Sequence, residues 1–170
     1  LTAHVAIRPE CPDDAAAITR VTELAFRDHP HSEHTEQHII EQLRRGDALS
    51  MSLVAEAAGQ VVGHIAFSSV EFSDGSAGWY ALGPVSVAPA RQGQGIGRAL
   101  IDAGLAGLRG RGAAGCVVVG EPALYGRFGF RSRPDVTMDG VPQRYVQLLA
   151  FGAGRPAGRV THHPAFGARP

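Results

Sequence analysis

Residues Val85–Leu100 read VSVAPARQGQGIGRAL: β-forming residues, a proline, then Gly93, Gly95 and Gly97 directly ahead of a helical pattern. Glycine loses more backbone freedom on folding than any other residue, so three of them at a helix start need a reason. A helix N-terminus carries unpaired N–H groups and the positive end of the macrodipole, which together attract anions. Glycines remove the side chains that would hold a phosphate away, and Arg91 and Arg98 stand on the two shoulders of the loop. A pyrophosphate suits it best. Turn geometry alone would not require the alternate spacing or the flanking arginines.

The segments around this loop supply its setting. HVAIRPE, residues 4–10, reads as an opening strand, and PDDAAAITRVTELAF as a helix with Ile18, Val21, Leu24 and Ala25 on one face. A second helix is predicted after Thr35 as its cap, with Ile39, Ile40 and Leu43 inward and Gly46 as its end. Residues 51–73 read as a hairpin turning at AAGQ, followed by a strand over WYALGPVSVAP. Pro84 cannot donate to a ladder, so a bulge or break is expected at Gly83-Pro84. The glycine loop then opens a helix to about Arg109, with Ile96, Leu100, Ala103 and Leu108 along one side. GCVVVGE is a doubly buried strand, PALYGRFG a short helix and RYVQLLAF a last strand.

The order is β-α-α-β-β-β-α-β-α-β. Antiparallel amino-terminal strands lead into one β-α-β crossover, whose two strands must be parallel. The fold class is therefore α/β with a mixed central sheet. A single domain is expected over residues 1–170, regular from about 3 to 151, with residues 152–170 a Gly/Pro-rich tail over the surface.

Composition narrows the function. The chain has 170 residues, 44% of them hydrophobic, and no net charge, so no global field draws it to nucleic acid or an anionic membrane. No apolar run is long enough for a membrane span. All 16 basic residues are arginine, and the absence of lysine excludes a P-loop and a pyridoxal Schiff base. Cys11 and Cys116 lie far apart with no CxxC partner, which argues against a disulfide framework or a zinc site. That cysteine usage suits a reducing setting, and no secretory signal pattern is read, so a cytoplasmic location is expected. His29, His31, His34 and His38 lack a carboxylate or cysteine in register, so no metal is assigned to them.

Two phosphate readers compete for the loop. The dinucleotide fingerprint needs G-x-G-x-x-G directly after a strand, but Arg98 stands at its third glycine and the chain offers one crossover only. Gln92-x-x-Gly95-x-Gly97 after VSVAP instead resembles the acyl-CoA pyrophosphate loop of the GNAT superfamily of acetyl-CoA-dependent N-acetyltransferases. ALYGRFGF resembles that family's Y-x-x-x-G-F segment, with Tyr125, Gly129 and Phe130 in register. Loop, crossover strand and tyrosine segment follow in the family's order over residues 3–151. The pattern is most like a bacterial branch with LGP before the loop and RFGF after it.

The resemblance implies acetyl-CoA as co-substrate. It implies that the strand at Val85–Val87 splays from the strand at Cys116–Gly120, and that pantetheine amides pair with backbone groups of Val85 and Val87. An N–H near Val85 would polarise the acetyl carbonyl. The cofactor-binding set it implies is Val85, Ser86, Val87, Arg91, Gln92, Gly93, Gln94, Gly95, Ile96, Gly97, Arg98 and Tyr125. Tyr125 matches the tyrosine that protonates the leaving thiolate, a phenol of reference pKa about 10. Glu121, where the buried strand ends, is the candidate base if burial raises its pKa; capping the next helix is its competing role. His64 and Glu56, on a middle strand and its neighbour, are the weaker base candidates. The acceptor is a primary amine on a small molecule, peptide or protein, and a homodimer is the family's habit. The competing classes are an acyl-CoA-binding or regulatory module without catalysis, and a dinucleotide oxidoreductase.

Overall fold

Strand β1 (Val5–Pro9) lies antiparallel to β2 (Met51–Ala57), and β2 to β3 (Gln60–Ser69), in the computed structural model, which describes residues 4–170. The β2–β3 turn is made by Ala58 and Gly59, both left-handed at φ 50° and 75°, the backbone a tight hairpin demands. Residue contacts fall into two compact units: the described residues up to Phe67 with Gly83–Gly104 and Pro164–Pro170, and Ser68–Leu82 with Leu105–His163.

In the first unit, helices α1 (Ala15–Phe26) and α2 (Glu36–Arg45) pack against the strands. Ile18, Ile40, Val54 and Ala66 form one buried cluster, with Leu49 and Val61 against it. Ile39 and Leu43 form another with Ala165. Helix α1 also buries Thr22, whose hydroxyl is satisfied by donating to the Ile18 carbonyl at 2.7 Å. Thr35 occupies the cap position of α2, but its side chain makes no capping bond. Ser32 Oγ instead donates to Glu36 Oε1 at 2.6 Å and accepts from the His34 amide, so the serine orders this entrance.

Strand β5 (Trp79–Val87), preceded by the two-residue β4 (Glu71–Phe72), runs through Gly83-Pro84. Of the expected bulge or break, the break is absent: the strand continues through Gly83, which takes φ 133°, and its cis bond to Pro84. Helix α3 (Ile96–Gly110) and strand β6 (Gly115–Val119) complete the crossover. The parallel ladder of β5 with β6 holds three pairs, Trp79–Gly115, Tyr80–Cys116 and Ala81–Val117, and stops while both strands go on.

In the second unit, β6 pairs antiparallel with β9 (Val146–Ala150), and β9 with β7 (Arg131–Ser132). Gly115 is dictated by packing. A β-carbon there would stand 2.4 Å from the Trp79 ring and 2.6 Å from the Leu149 carbonyl. The short α4 (Pro122–Tyr125) follows β6. The Gly/Pro-rich segment after residue 151 needs correction, because regular structure continues in it. Strand β10 (Gly158–Thr161) pairs with β4 on one side and β8 (Val136–Thr137) on the other, and a 3-10 turn spans Pro164–Gly167. Ser73 Oγ and Asp74 Oδ2 accept from the Arg159 and Ala157 amides, both at 2.8 Å, so side chains far back in the chain order this strand.

Candidate active site

The glycine loop begins where β5 ends. Val87 is followed by a 3-10 turn at Pro89–Arg91, closed by the Arg91 amide donating to Ala88 at 2.8 Å. Gly93 and Gly95 take φ 75° and 82°, and a β-carbon on either would meet nothing within 4 Å. The two glycines are thus required by backbone conformation, not by neighbouring protein atoms. Left-handed backbone costs an L-residue roughly 1–2 kcal/mol. Gly97, already helical, would meet only the Val87 side chain at 3.7 Å.

Helix α3 starts at Ile96, and the Ala99 amide makes the bond back to Gly95, at 3.0 Å. The amides of its first turn have no earlier turn to bond to, which is the general condition for holding an anion. Arg91 is held in the loop by its Nε donating to Gln94 Oε1 at 3.2 Å, and Arg98 stands near Asp102 at 3.8 Å, both pairs open to solvent. Gln92 does something local. Its Nε2 donates to the Val87 carbonyl at 3.1 Å, pinning the loop to the strand it leaves.

Residues outside the motif seat this helix. Gly63 of β3 lies so close beneath it that a β-carbon would stand 3.0–3.2 Å from Leu100, the Ser86 carbonyl and Ile96. Ser86 itself is buried, its hydroxyl 3.3 Å from that of Thr22. Sequence reasoning passed over Gly63. Its signal was a glycine inside a strand-like run, VVGHIAF, which marks close backbone approach.

Tyr125 ends α4 and is 7% exposed, its ring edge-on to Phe130 at 6.0 Å between centroids. Gly120 makes room for it, since a β-carbon there would stand 2.4 Å from the ring. Burial pushes the Tyr125 phenol up to about 12, with the neighbouring Cys116 sulfur acting in the same direction. The phenol therefore keeps its proton at neutral pH. Cys116 is fully buried, and burial drives its thiol well above the ordinary range, as befits a small apolar filler.

The base candidates stand differently. Glu121 is exposed, so it lacks the burial on which its candidacy as base rested. Its side chain makes no capping bond, but its backbone carbonyl accepts from the Leu124 and Tyr125 amides at 3.0 Å and opens α4. His64 is fully buried with Nε2 at 2.7 Å from Ser52 Oγ, and burial, then the charge of Arg44, pulls its pKa down to about 3. Glu56 is engaged by Arg8 at 2.7 Å, and the same guanidinium grips Asp14. Neither group is available to an amine. Among the described residues no group of three His, Cys, Asp or Glu could hold a metal ion, and no helix is long and apolar enough to cross a membrane.

Comparisons with known proteins agree with this geometry. The model of the acetyltransferase (GNAT) family matches residues 18–130. The uncharacterized N-acetyltransferase YhbS of Escherichia coli K12 is 37% identical over 125 residues, 73% of this chain and 72% of its own. A GNAT family acetyltransferase from Brucella melitensis, crystallised with acetyl-CoA, superimposes with TM-score 0.87 at 52% identity, over 96% of this chain and 99% of that one. The crystal structure of Escherichia coli YhbS with CoA gives 0.86 at 30% identity, over 99% and 94%. With the α/β fold, the mixed sheet and the glycine loop in hand, the chain belongs to the GNAT family of acetyltransferases.

Proposed function

We propose that this protein transfers the acetyl group of acetyl-CoA directly to a primary amine, in the cytoplasm. The observation that carries the reading is the left-handed backbone at Gly93 and Gly95, open around both α-carbons, leading into the free first turn of a fifteen-residue helix. Main-chain amides from Gln92 to Arg98 bind the diphosphate. Arg91 and Arg98 add charge in the planar form that suits phosphate oxygens. The pantetheine arm pairs with backbone groups of Val85, and an N–H there polarises the thioester carbonyl as the amine adds to it.

The amine must be neutral to attack, so a proton leaves before or during the addition. Glu121 accepts it as a solvated carboxylate, through water. When the tetrahedral intermediate collapses, the C–S bond breaks and the sulfur takes the electron pair. Tyr125 is assigned to that sulfur. With a phenol near 12 and a thiol reference near 8.5, complete transfer in the resting environment is uphill. The phenol's contribution is a hydrogen bond to developing negative charge, completed by a proton from solvent.

The deciding experiment is release of free thiol from acetyl-CoA across a panel of amino acids, polyamines, aminoglycosides and peptides at several pH values. Amine-dependent release with stoichiometric acetylated product supports the proposal. Tight CoA binding with no release from any amine would instead favour a binding module of the same fold.

A further inference from the structure

In the second unit a cavity of about 460 Å³ is lined by Arg127, Arg131 and Arg144, with Pro122, Phe130 and Gln147 among its walls. No carboxylate lines it. Two of these arginines are held by neutral groups. Arg131 Nη1 donates to the Gly126 carbonyl at 2.9 Å and the Phe130 carbonyl at 2.7 Å. Arg144 Nη2 donates to the Tyr145 hydroxyl at 2.6 Å, its guanidinium 4.6 Å from the centre of that ring. Arg127 makes no ion pair among the described residues, whereas Arg133, nearby in sequence, is paired with Asp135 at 2.7 Å. The acid whose charge is felt here is Glu121, acting on Arg144 from outside the cavity wall. Phe130 and Gln147 are each 1% exposed, so the floor is fixed by the core while the cations stand at the rim.

Three like charges gathered around one hollow repel each other, and no carboxylate in its lining offsets that repulsion. Guanidinium forks match planar oxyanions, and a cavity of this size suits a small molecule. We propose that this cavity binds a small organic acid, its carboxylate held by the forks of Arg127, Arg131 and Arg144 and its apolar body against Phe130 and Pro122. The proposal does not depend on the acetyltransferase reading.

The test uses the full chain, with phenylacetate as probe and phenylacetamide as its uncharged twin, followed by titration calorimetry or ligand-observed NMR. The expected result is saturable phenylacetate binding in the millimolar range or tighter, with the amide at least about fivefold weaker. The double variant Arg127→Gln/Arg144→Gln leaves the Arg131 bonds to the backbone intact and is expected to weaken phenylacetate by about tenfold or more. Arg131→Gln should do the same if it folds, checked by its melting curve. The proposal fails on equal binding of acid and amide, on no saturation by roughly 20 mM, or on undiminished binding to the double variant. It fails equally if CoA displaces phenylacetate and dephospho-CoA does not, for then the cations serve the cofactor's 3′-phosphate.

Discussion

Single side chains separate chemistry from mere binding. Tyr125→Phe keeps the ring against Phe130 and in the space left by Gly120, and removes only the hydroxyl. We expect turnover to fall by about 10–100-fold while the Michaelis constant for acetyl-CoA moves by less than about threefold. Steady-state kinetics with a reactive amine reads both, and an unaltered turnover removes the hydroxyl from the mechanism. Tyr125 was legible in the sequence because it sits at a fixed offset from Gly129 and Phe130. The exposure of Glu121 was not, because the residue leaving a strand and opening a helix can face core or solvent without any change of pattern. Nor was the side-chain bond of Gln92, whose motif position marks the loop but does not say where its amide points.

Helix α3 and its loop form the element on which binding rests, and two glycines test it in different ways. Gly95→Ala puts a β-carbon on a backbone at φ 82° with open space around it, so conformational strain is the damage. Calorimetry with CoA should show affinity reduced by about tenfold, the equivalent of roughly 1.4 kcal/mol. Gly104→Ala acts by crowding: the new β-carbon would stand 2.4 Å from two ring carbons of Phe67. Alanine favours the helix by about 1 kcal/mol, but overpacking costs about 1–3, so net destabilisation is expected in urea unfolding. Adding Phe67→Leu, which withdraws the ring, should recover part of the loss; a Gly104→Ala variant as stable as its parent would refute the crowding. The helix itself was readable from the spacing of Ile96, Leu100 and Leu108, all buried in the structure. Its glycine at 104 was not, because a helical glycine looks the same in sequence whether it is tolerated or pressed against a ring.

For the molecule as a whole, charge balance leaves pH sensitivity to buried groups. His64 is held near 3 and His162 near 4 in the folded chain, both lowered by burial. An unfolded histidine takes its proton near 6.5, so between that pH and the folded values the unfolded chain binds more protons. Their stabilisation is therefore complete above about 6.5 and declines as pH falls, by up to about 1.4 kcal/mol per pH unit for each group. Asp14, lowered first by Arg8 and then by the Cys11 amide, adds a loss of the same sign below the ordinary carboxylate range. Urea unfolding between pH 4 and 7 should show this decline, and His64→Gln should make it shallower; equal slopes would mean that His64 is not neutral in the fold. From the sequence alone came the α/β class, the crossover and the diphosphate loop, because strand and helix periods and main-chain anion binding are local properties written in short spacings. Only the tertiary structure decided that His64 and Glu56 are engaged, that Gly63 seats the helix, that residues 158–161 form a strand, and that three arginines share one cavity. Each of those depends on residues far apart in the chain meeting in space, and no local pattern encodes such a meeting.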